Sequence, residues 1–99
     1  MLHIVNKSPF TTTSLESCLR VSKPGATILL IEDGVYGALD GSRVSAAVRA
    51  ALADRTVCVL GVDAAARGIE GKVLDGIDVV DYDGFVDLVA ANDGVQSWL

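Results

Sequence analysis

The chain has 99 residues, which is typical of one small domain, and 51% of them are apolar. The formal net charge is −5 and the eight Lys and Arg residues are scattered, so direct binding to a nucleic-acid backbone is not expected. No uncharged run approaches the roughly 20 residues of a membrane-spanning helix, and the first residues lack the basic-then-apolar order of a secretory signal.

The mean hydropathy of +0.44 is high for a small soluble protein. A domain of this size has a large surface for its volume, so we expect leftover apolar area to be buried in an oligomer. The two cysteines are far apart in sequence and there is one histidine, which argues against a zinc site. A reducing, cytoplasmic setting without a metal or cofactor is the resulting expectation.

The first third of the chain predicts a strand, a helix and a second strand. Residues 2–5 form a short strand, and Thr13 caps a helix that runs to about Val21, with Glu16 completing a capping box. The following run, residues 26–31, is uncharged and almost wholly apolar, which is typical of a strand buried on both faces. It ends abruptly in Glu32-Asp33-Gly34, and function often lies at such carboxyl ends.

The rest of the chain continues the alternation of helices and strands. Apolar residues at helical spacing predict an amphipathic helix over about 44–52, and residues 56–60 and 77–80 predict two more strands. Asp63 is predicted to cap a short helix between them. Asp81 or Asp83 begins a last helix with its apolar residues inward, and residues 95–99 form an apolar tail that suits an edge strand. The inward residues of that last helix are predicted to be Phe85, Leu88 and Val89.

This order of elements predicts the fold class. The connections between strands are too long for hairpins and suit crossovers, so we expect one α/β domain over residues 1–99. The predicted architecture is a three-layer α/β/α arrangement with a mostly parallel sheet of four to five strands.

Nucleotide-binding motifs are absent from the sequence. The glycines at 34, 37 and 41 do not match G-x-G-x-x-G, and Gly71-Lys72 is followed by Val73 rather than by the Ser or Thr of a P-loop. A phospho-receiver would need acidic residues after the first strand, where Asn6-Lys7 stand instead.

Cys18 is the candidate nucleophile, although a packed core residue is the better interpretation from sequence alone, because no neighbour activates its thiol. Cys58, between valines, is predicted to lie in the core. His3 is predicted to be a satisfied structural group rather than a base. Tyr36 and Trp98 combine an apolar body with a polar group, which favours a partner surface.

Several segments together resemble the DsrH/TusB family, and the likeness extends in order along the whole chain. The segments are Met1-Leu2-His3, Asn6-Lys7-Ser8-Pro9-Phe10, Ser14-Leu15-Glu16-Ser17-Cys18-Leu19, Glu32-Asp33-Gly34-Val35-Tyr36, Ala66-Arg67-Gly68, Asp81-Tyr82, Gly84-Phe85-Val86-Asp87-Leu88 and Gln96-Ser97-Trp98-Leu99. Cys18 and the segment around it are the reason to expect a chain closer to DsrH than to TusB.

The resemblance implies a DsrE-type fold and a subunit of a cytoplasmic sulfur relay. Members of this family assemble with DsrE-like and DsrF-like subunits (TusD- and TusC-like in the other branch) as a hetero-hexamer. The complex passes persulfide sulfur to a small carrier, DsrC or TusE. The DsrH branch serves oxidation of stored sulfur, which is the leading expectation here, and the TusB branch serves 2-thiolation of the tRNA wobble uridine.

The resemblance leaves the role of this subunit open. The principal sulfur-accepting cysteine belongs to the DsrE/TusD subunit, so Cys18 is at most an auxiliary acceptor. The alternative is a purely structural subunit that supports the partner's active cysteine. Asp33, Gly34, Tyr36 and Trp98 are the candidate subunit-contact residues. A free-standing small-molecule binder of flavodoxin type is a remote third possibility.

Overall fold

The computed structural model describes residues 1–98 and shows one five-stranded sheet in which every pairing is parallel. The strand order is β4-β3-β2-β1-β5. The strands are β1 (Leu2–Val5), β2 (Thr27–Leu30), β3 (Thr56–Leu60), β4 (Asp78–Val80) and β5 (Val95–Trp98). The predicted fold class and the short edge strand near the carboxyl terminus are therefore confirmed, and Leu99 lies outside the described residues.

Four α-helices and two 3₁₀-helices connect the strands. The α-helices are α1 (Ser14–Val21), α2 (Ser45–Ala51), α3 (Gly61–Ala66) and α4 (Tyr82–Ala91), and the 3₁₀-helices are Glu32–Ala38 and Glu70–Lys72. Each connection is long enough to return the chain to the amino edge of the sheet, which is what parallel pairing requires.

β2 is the central strand, as its uninterrupted apolar sequence predicts. Ile28, Leu29 and Leu30 have no exposed surface. Successive residues of a strand point to opposite faces, so Ile28 and Leu30 enter one hydrophobic cluster while Leu29 enters another. A strand that is apolar on both faces is stable only with material on both sides, and this places β2 in the middle of the three layers.

The two layers of helices are unequal. The large cluster, on one face of the sheet, contains residues of α1, α2, α3 and the first 3₁₀-helix. The small cluster on the other face has only Leu2, Leu29 and Cys58 fully buried, and α4 covers it with Phe85 and Leu88. Among the described residues, α4 is therefore the one helix on its face of the sheet, whereas three α-helices and a 3₁₀-helix pack on the opposite face.

Three local predictions are wrong. Thr13 occupies the N-terminal capping position of α1, as predicted, but the capping box is not formed. Its φ of −100° and ψ of 11° are not the extended conformation usual for a capping side chain, and the Glu16 carboxylate pairs with Arg43 at 2.8 Å. Asp63 does not cap α3, since the helix begins at Gly61 and its first turn already contains Asp63. Val89 is not inward but exposed, because Phe85 and Leu88 are the residues of α4 that pack on the small cluster.

The capping of α4 agrees with the sequence. The Asp81 carboxylate accepts a hydrogen bond of 2.8 Å from the backbone N–H of Gly84, which is the usual bond of an N-terminal capping residue.

Candidate functional site

The carboxyl ends of the three central strands meet at one edge of the sheet, and the loop after β2 crosses over them. A Cβ placed on Gly34 would lie 2.1 Å from the carbonyl oxygen of Val5, at the end of β1. Only glycine permits this approach of two backbones. Glu32 enters the loop with a φ of +49°, a left-handed conformation that is uncommon for a residue with a side chain.

Polar side chains from α3 and its C-terminal end hold this loop in place. The Asp63 carboxylate accepts a 2.7 Å hydrogen bond from the backbone N–H of Glu32. The Arg67 guanidinium donates to the carboxylate of Asp33 at 2.9 Å and to the carbonyl oxygen of Asp63 at 3.3 Å. The hydrogen bond to Asp33 is the main reason that the pKa of Arg67 is raised further above its ordinary value.

Each carboxylate at the strand end has a hydrogen-bond partner within the chain. Asp33 is committed to Arg67 and Asp63 to a backbone N–H, while the Glu32 carboxylate is within 3.5 Å of the Asn6 side-chain nitrogen. The other side-chain atom of Asn6, its carbonyl oxygen, is buried without a hydrogen-bond partner in the described residues. The arrangement is a loop whose backbone and carboxylates are held by neighbouring elements.

Cys18 lies on the inner face of α1 and its side chain is fully buried in the large cluster. Burial raises the pKa of the Cys18 thiol to about 11. The charge of Arg55 acts in the opposite direction and is the smaller effect. The Arg55 guanidinium is itself engaged at the end of α1, where it donates to the carbonyl oxygen of Leu19 and, at 2.9 Å, to the Ser22 hydroxyl.

Cys58 is a core residue, as predicted. It belongs to the small cluster on the opposite face of the sheet from Cys18, and both thiols are free. Burial and, second, the nearby charge of Asp78 raise the pKa of Cys58 to about 11. Both thiols are therefore protonated and shielded in this conformation, and Cys18 as a sulfur acceptor stays a prediction.

His3 is a satisfied structural group, as predicted. Its Nδ1 atom accepts a 3.1 Å hydrogen bond from the indole N–H of Trp98, and the two ring centroids are 6.1 Å apart. Burial, and second the charge of the amino terminus, lower the pKa of His3 from its ordinary value. The neutral ring that results is the form that can accept this bond.

The four predicted subunit-contact residues lie in different environments. Asp33 is exposed and bonded to Arg67, while Gly34 is buried against β1 and shapes the loop. Tyr36 and Trp98 are half-buried and pack on the large cluster. Their role in subunit contact stays a prediction, because the structure contains one chain.

Tyr82, at the start of α4, is more exposed than Tyr36 and Trp98, and it was not predicted from the sequence as a contact residue. A signal was present, because α4 has apolar residues around most of its circumference. A helix with that pattern needs cover on more than one side.

Two further findings concern the described residues, 1–98. They contain no group of three or more His, Cys, Asp and Glu side chains placed to hold a metal ion. No helix among them is long and apolar enough to cross a membrane.

Comparison with solved structures shows the fold. The crystal structure of the ychN protein from E. coli aligns with a TM-score of 0.77 over 97% of both chains, at 19% identity. A protein of unknown function, MTH1491 from Methanobacterium thermoautotrophicum, aligns with a TM-score of 0.76 over 97% of this chain and 95% of that one, also at 19% identity.

Comparison with curated proteins shows closer relatives. The chain is 36% identical to Protein TusB of Escherichia coli O157:H7 and of Shigella flexneri, over 99% of this chain and 100% of each relative. The identity to Protein TusB of Escherichia coli K12 is 35% over the same extent. The expectation of a chain closer to DsrH than to TusB is therefore not supported.

The family comparison agrees with this likeness. The sequence profile described as "DsrH like protein" matches residues 7–95, which include the strand-end loop, both cysteines and all of α4. The chain belongs to the DsrH-like family.

Proposed function

We propose that this chain is a TusB-type subunit of a cytoplasmic sulfur relay that supplies sulfur for 2-thiolation of the tRNA wobble uridine. Its role in the complex is structural: it supports the active cysteine of a partner and carries no sulfur itself. The relatives named TusB support the tRNA branch over oxidation of stored sulfur. The burial of both thiols is the observation on which the structural role rests.

The chemistry of the relay explains why burial matters. In each transfer, a thiolate attacks the outer sulfur of a donor persulfide, the donor's S–S bond breaks, and the donor leaves as a thiolate. The attacking group must be deprotonated and within reach of a partner. With a pKa of about 11, only about one Cys18 thiol in ten thousand is ionised at pH 7.

Cys18 as an auxiliary acceptor is the second candidate role, and the charge of Arg55 favours it, because this charge stabilises a thiolate on α1. Carriage would still require α1 to move away from the sheet, since the side chain has no exposed surface. The partners are the same in both roles: DsrE-like and DsrF-like (TusD- and TusC-like) subunits in a hetero-hexamer, and a DsrC- or TusE-like carrier.

The test is to co-express the chain with its two partner subunits and to incubate the complex with a cysteine persulfide donor. Intact mass is then measured for each subunit separately. We expect added sulfur on the DsrE-like subunit and none on this chain, with the same result for Cys18→Ala and Cys58→Ala. Alkylation after denaturation serves as the control that both thiols were free and unmodified.

Added sulfur on this chain that disappears in Cys18→Ala would contradict the structural role and support the auxiliary one. In cells, deletion of this chain should lower 2-thiouridine in tRNA, and the Cys18→Ala variant should restore it. A deletion that leaves 2-thiouridine unchanged would refute the assignment to the tRNA branch.

A further inference from the structure

The charge of the chain is unevenly distributed along the sequence. Residues 1–72 contain eight Lys and Arg against seven Asp and Glu, a net charge of +1. Residues 73–99 contain six Asp and no Lys or Arg, a net side-chain charge of −6. The whole net negative charge of the chain therefore lies in the segment that forms β4, α4 and β5.

The same segment contains five of the nine large apolar side chains that are exposed among residues 1–98. α4 has no buried residue, although six of its ten residues are Phe, Leu, Val or Ala. Val79 of the edge strand and Tyr82 and Val86 of α4 are 60%, 62% and 64% exposed. This exposure follows from the unequal layers, because α4 is the one helix among residues 1–98 that packs on its face of the sheet.

Two of these residues, Val79 and Tyr82, line one groove at the edge of the sheet. The groove is lined by the first residues of α3, by β4 and by the first turn of α4, and includes Val62, Val79 and Tyr82. Val86 lies one helical turn after Tyr82, on the same side of α4. The β4–α4 face is defined here as Val62, Val79, Tyr82 and Val86 together with Asp81, which also lines the groove, and Asp83 and Asp87 of the same helix.

The acidic residues of this face are not neutralised within the chain. Asp81, Asp83 and Asp87 are exposed, and none of them belongs to an ion pair among residues 1–98. Carboxylates beside an apolar groove attract a partner that carries Lys or Arg next to an apolar side chain. They repel an identical face, so a symmetric contact between two copies would bring like charges together.

We propose that the β4–α4 face is the surface on which a partner subunit of the relay docks, and that the docking surface of this partner carries Lys or Arg next to an apolar side chain that fills the groove. This inference rests on the proposed function, which supplies the partner subunits. It adds the face of this chain that they use and the chemistry of the surface that meets it.

The experiment measures the affinity of this chain for the co-purified DsrE-like and DsrF-like subunits by titration at low and high salt. The test variants are Asp83→Lys/Asp87→Lys and Val86→Ser. Their controls are Glu70→Lys/Asp93→Lys, which makes the same change in charge at exposed positions outside the face, and Val21→Ser, at an exposed valine of α1. All four sets of positions are exposed, and thermal unfolding of each variant checks that it folds.

We expect both test variants to weaken the complex by at least about tenfold and both controls by less than about threefold. The effect of Asp83→Lys/Asp87→Lys should shrink at high salt, since the attraction of exposed charges is screened, and the effect of Val86→Ser should not. Wild-type affinity of both test variants would overturn the inference while the proposed function stands.

Two other outcomes also overturn the inference. If the wild-type chain does not bind the partner subunits at all, the proposed function fails and this inference fails with it. If the same variants instead dissociate a homo-oligomer of the wild-type chain, the occupant of the face is a second copy.

Discussion

The closest approach of two backbones in the candidate site gives a sharp prediction for Gly34→Ala. A Cβ at position 34 would lie 2.1 Å from the Val5 carbonyl oxygen and 2.8 Å from the carbonyl carbon of the same residue. An ordinary contact between such a carbon and an oxygen is about 3.3 Å. Because all the atoms it meets are backbone, no side chain can rotate away, and β1 or the strand-end loop must shift.

The magnitude follows from this shortfall of more than about 1 Å. Overpacking costs about 1–3 kcal/mol, and a clash with backbone belongs at the upper end, so we expect a loss of about 3 kcal/mol. For a domain of this size, that loss lowers Tm by about 12–24 °C. The shift would also move Glu32 and Asp33 away from the groups on Asp63 and Arg67 that hold them.

Gly71→Ala is the matched control, because Gly71 also lies in a 3₁₀-helix and a Cβ there meets nothing within 4 Å. We expect this variant to be neutral or more stable by up to about 1 kcal/mol, since alanine restricts the unfolded chain. Both variants are compared with the wild type by thermal unfolding followed by circular dichroism, and by urea midpoints. A Gly34→Ala variant that melts within about 3 °C of Gly71→Ala would refute the steric argument.

Three further predictions concern stability. Burial raises the pKa of Cys18 and Cys58 to about 11, so the unfolded chain loses these protons first and the free energy of unfolding falls as the pH rises from about 9 to 11. Urea midpoints across this range should fall less for Cys18→Ala/Cys58→Ala, and equal falls would contradict the shift. The pKa of His3 is lowered, so the unfolded chain binds its proton first and stability decreases as the pH falls below about 6.5. His3→Gln also removes the imidazole that accepts the hydrogen bond from Trp98, and its stability should decrease less on acidification than that of the wild type. An unchanged decrease in stability would assign the acid sensitivity to other groups. Glu32 has a positive φ, so Glu32→Val should lower the free energy of unfolding by about 1 kcal/mol, whereas Glu32→Gly should lower it little or not at all. Urea titrations that give the reverse order would contradict the inferred backbone strain at Glu32.

Much of the fold could be predicted from local sequence. The run over residues 26–31 has apolar residues in consecutive positions, and only a strand covered on both faces can bury all of them, so β2 had to be central. The alternation of strands with helical spacing then required crossovers and parallel pairing. The Glu16 half of the predicted capping box is not formed because Arg43, 27 positions away, takes the Glu16 carboxylate.

The candidate site was predicted less well. Its position at the carboxyl end of β2 was predicted, and so was the structural role of His3. The partner of Asp33 could not be predicted from the sequence. Arg67 lies 34 residues later and reaches the loop only because α3 packs beside it. The same holds for Asp63, whose sequence position suits a helix cap but whose carboxylate is taken by the Glu32 N–H.

The sequence by itself determined the strand that occupies the centre, the α/β class, the family, and the excess of apolar residues in an acidic carboxyl-terminal segment. Only the tertiary structure decided that Gly34 lies against Val5, that Arg67 reaches Asp33, and that α4 covers its face alone. The physical reason is distance along the chain. Periodicity and capping act over a few residues, whereas burial, close backbone approach and the layer on which a helix lies depend on elements that meet only when the sheet is complete.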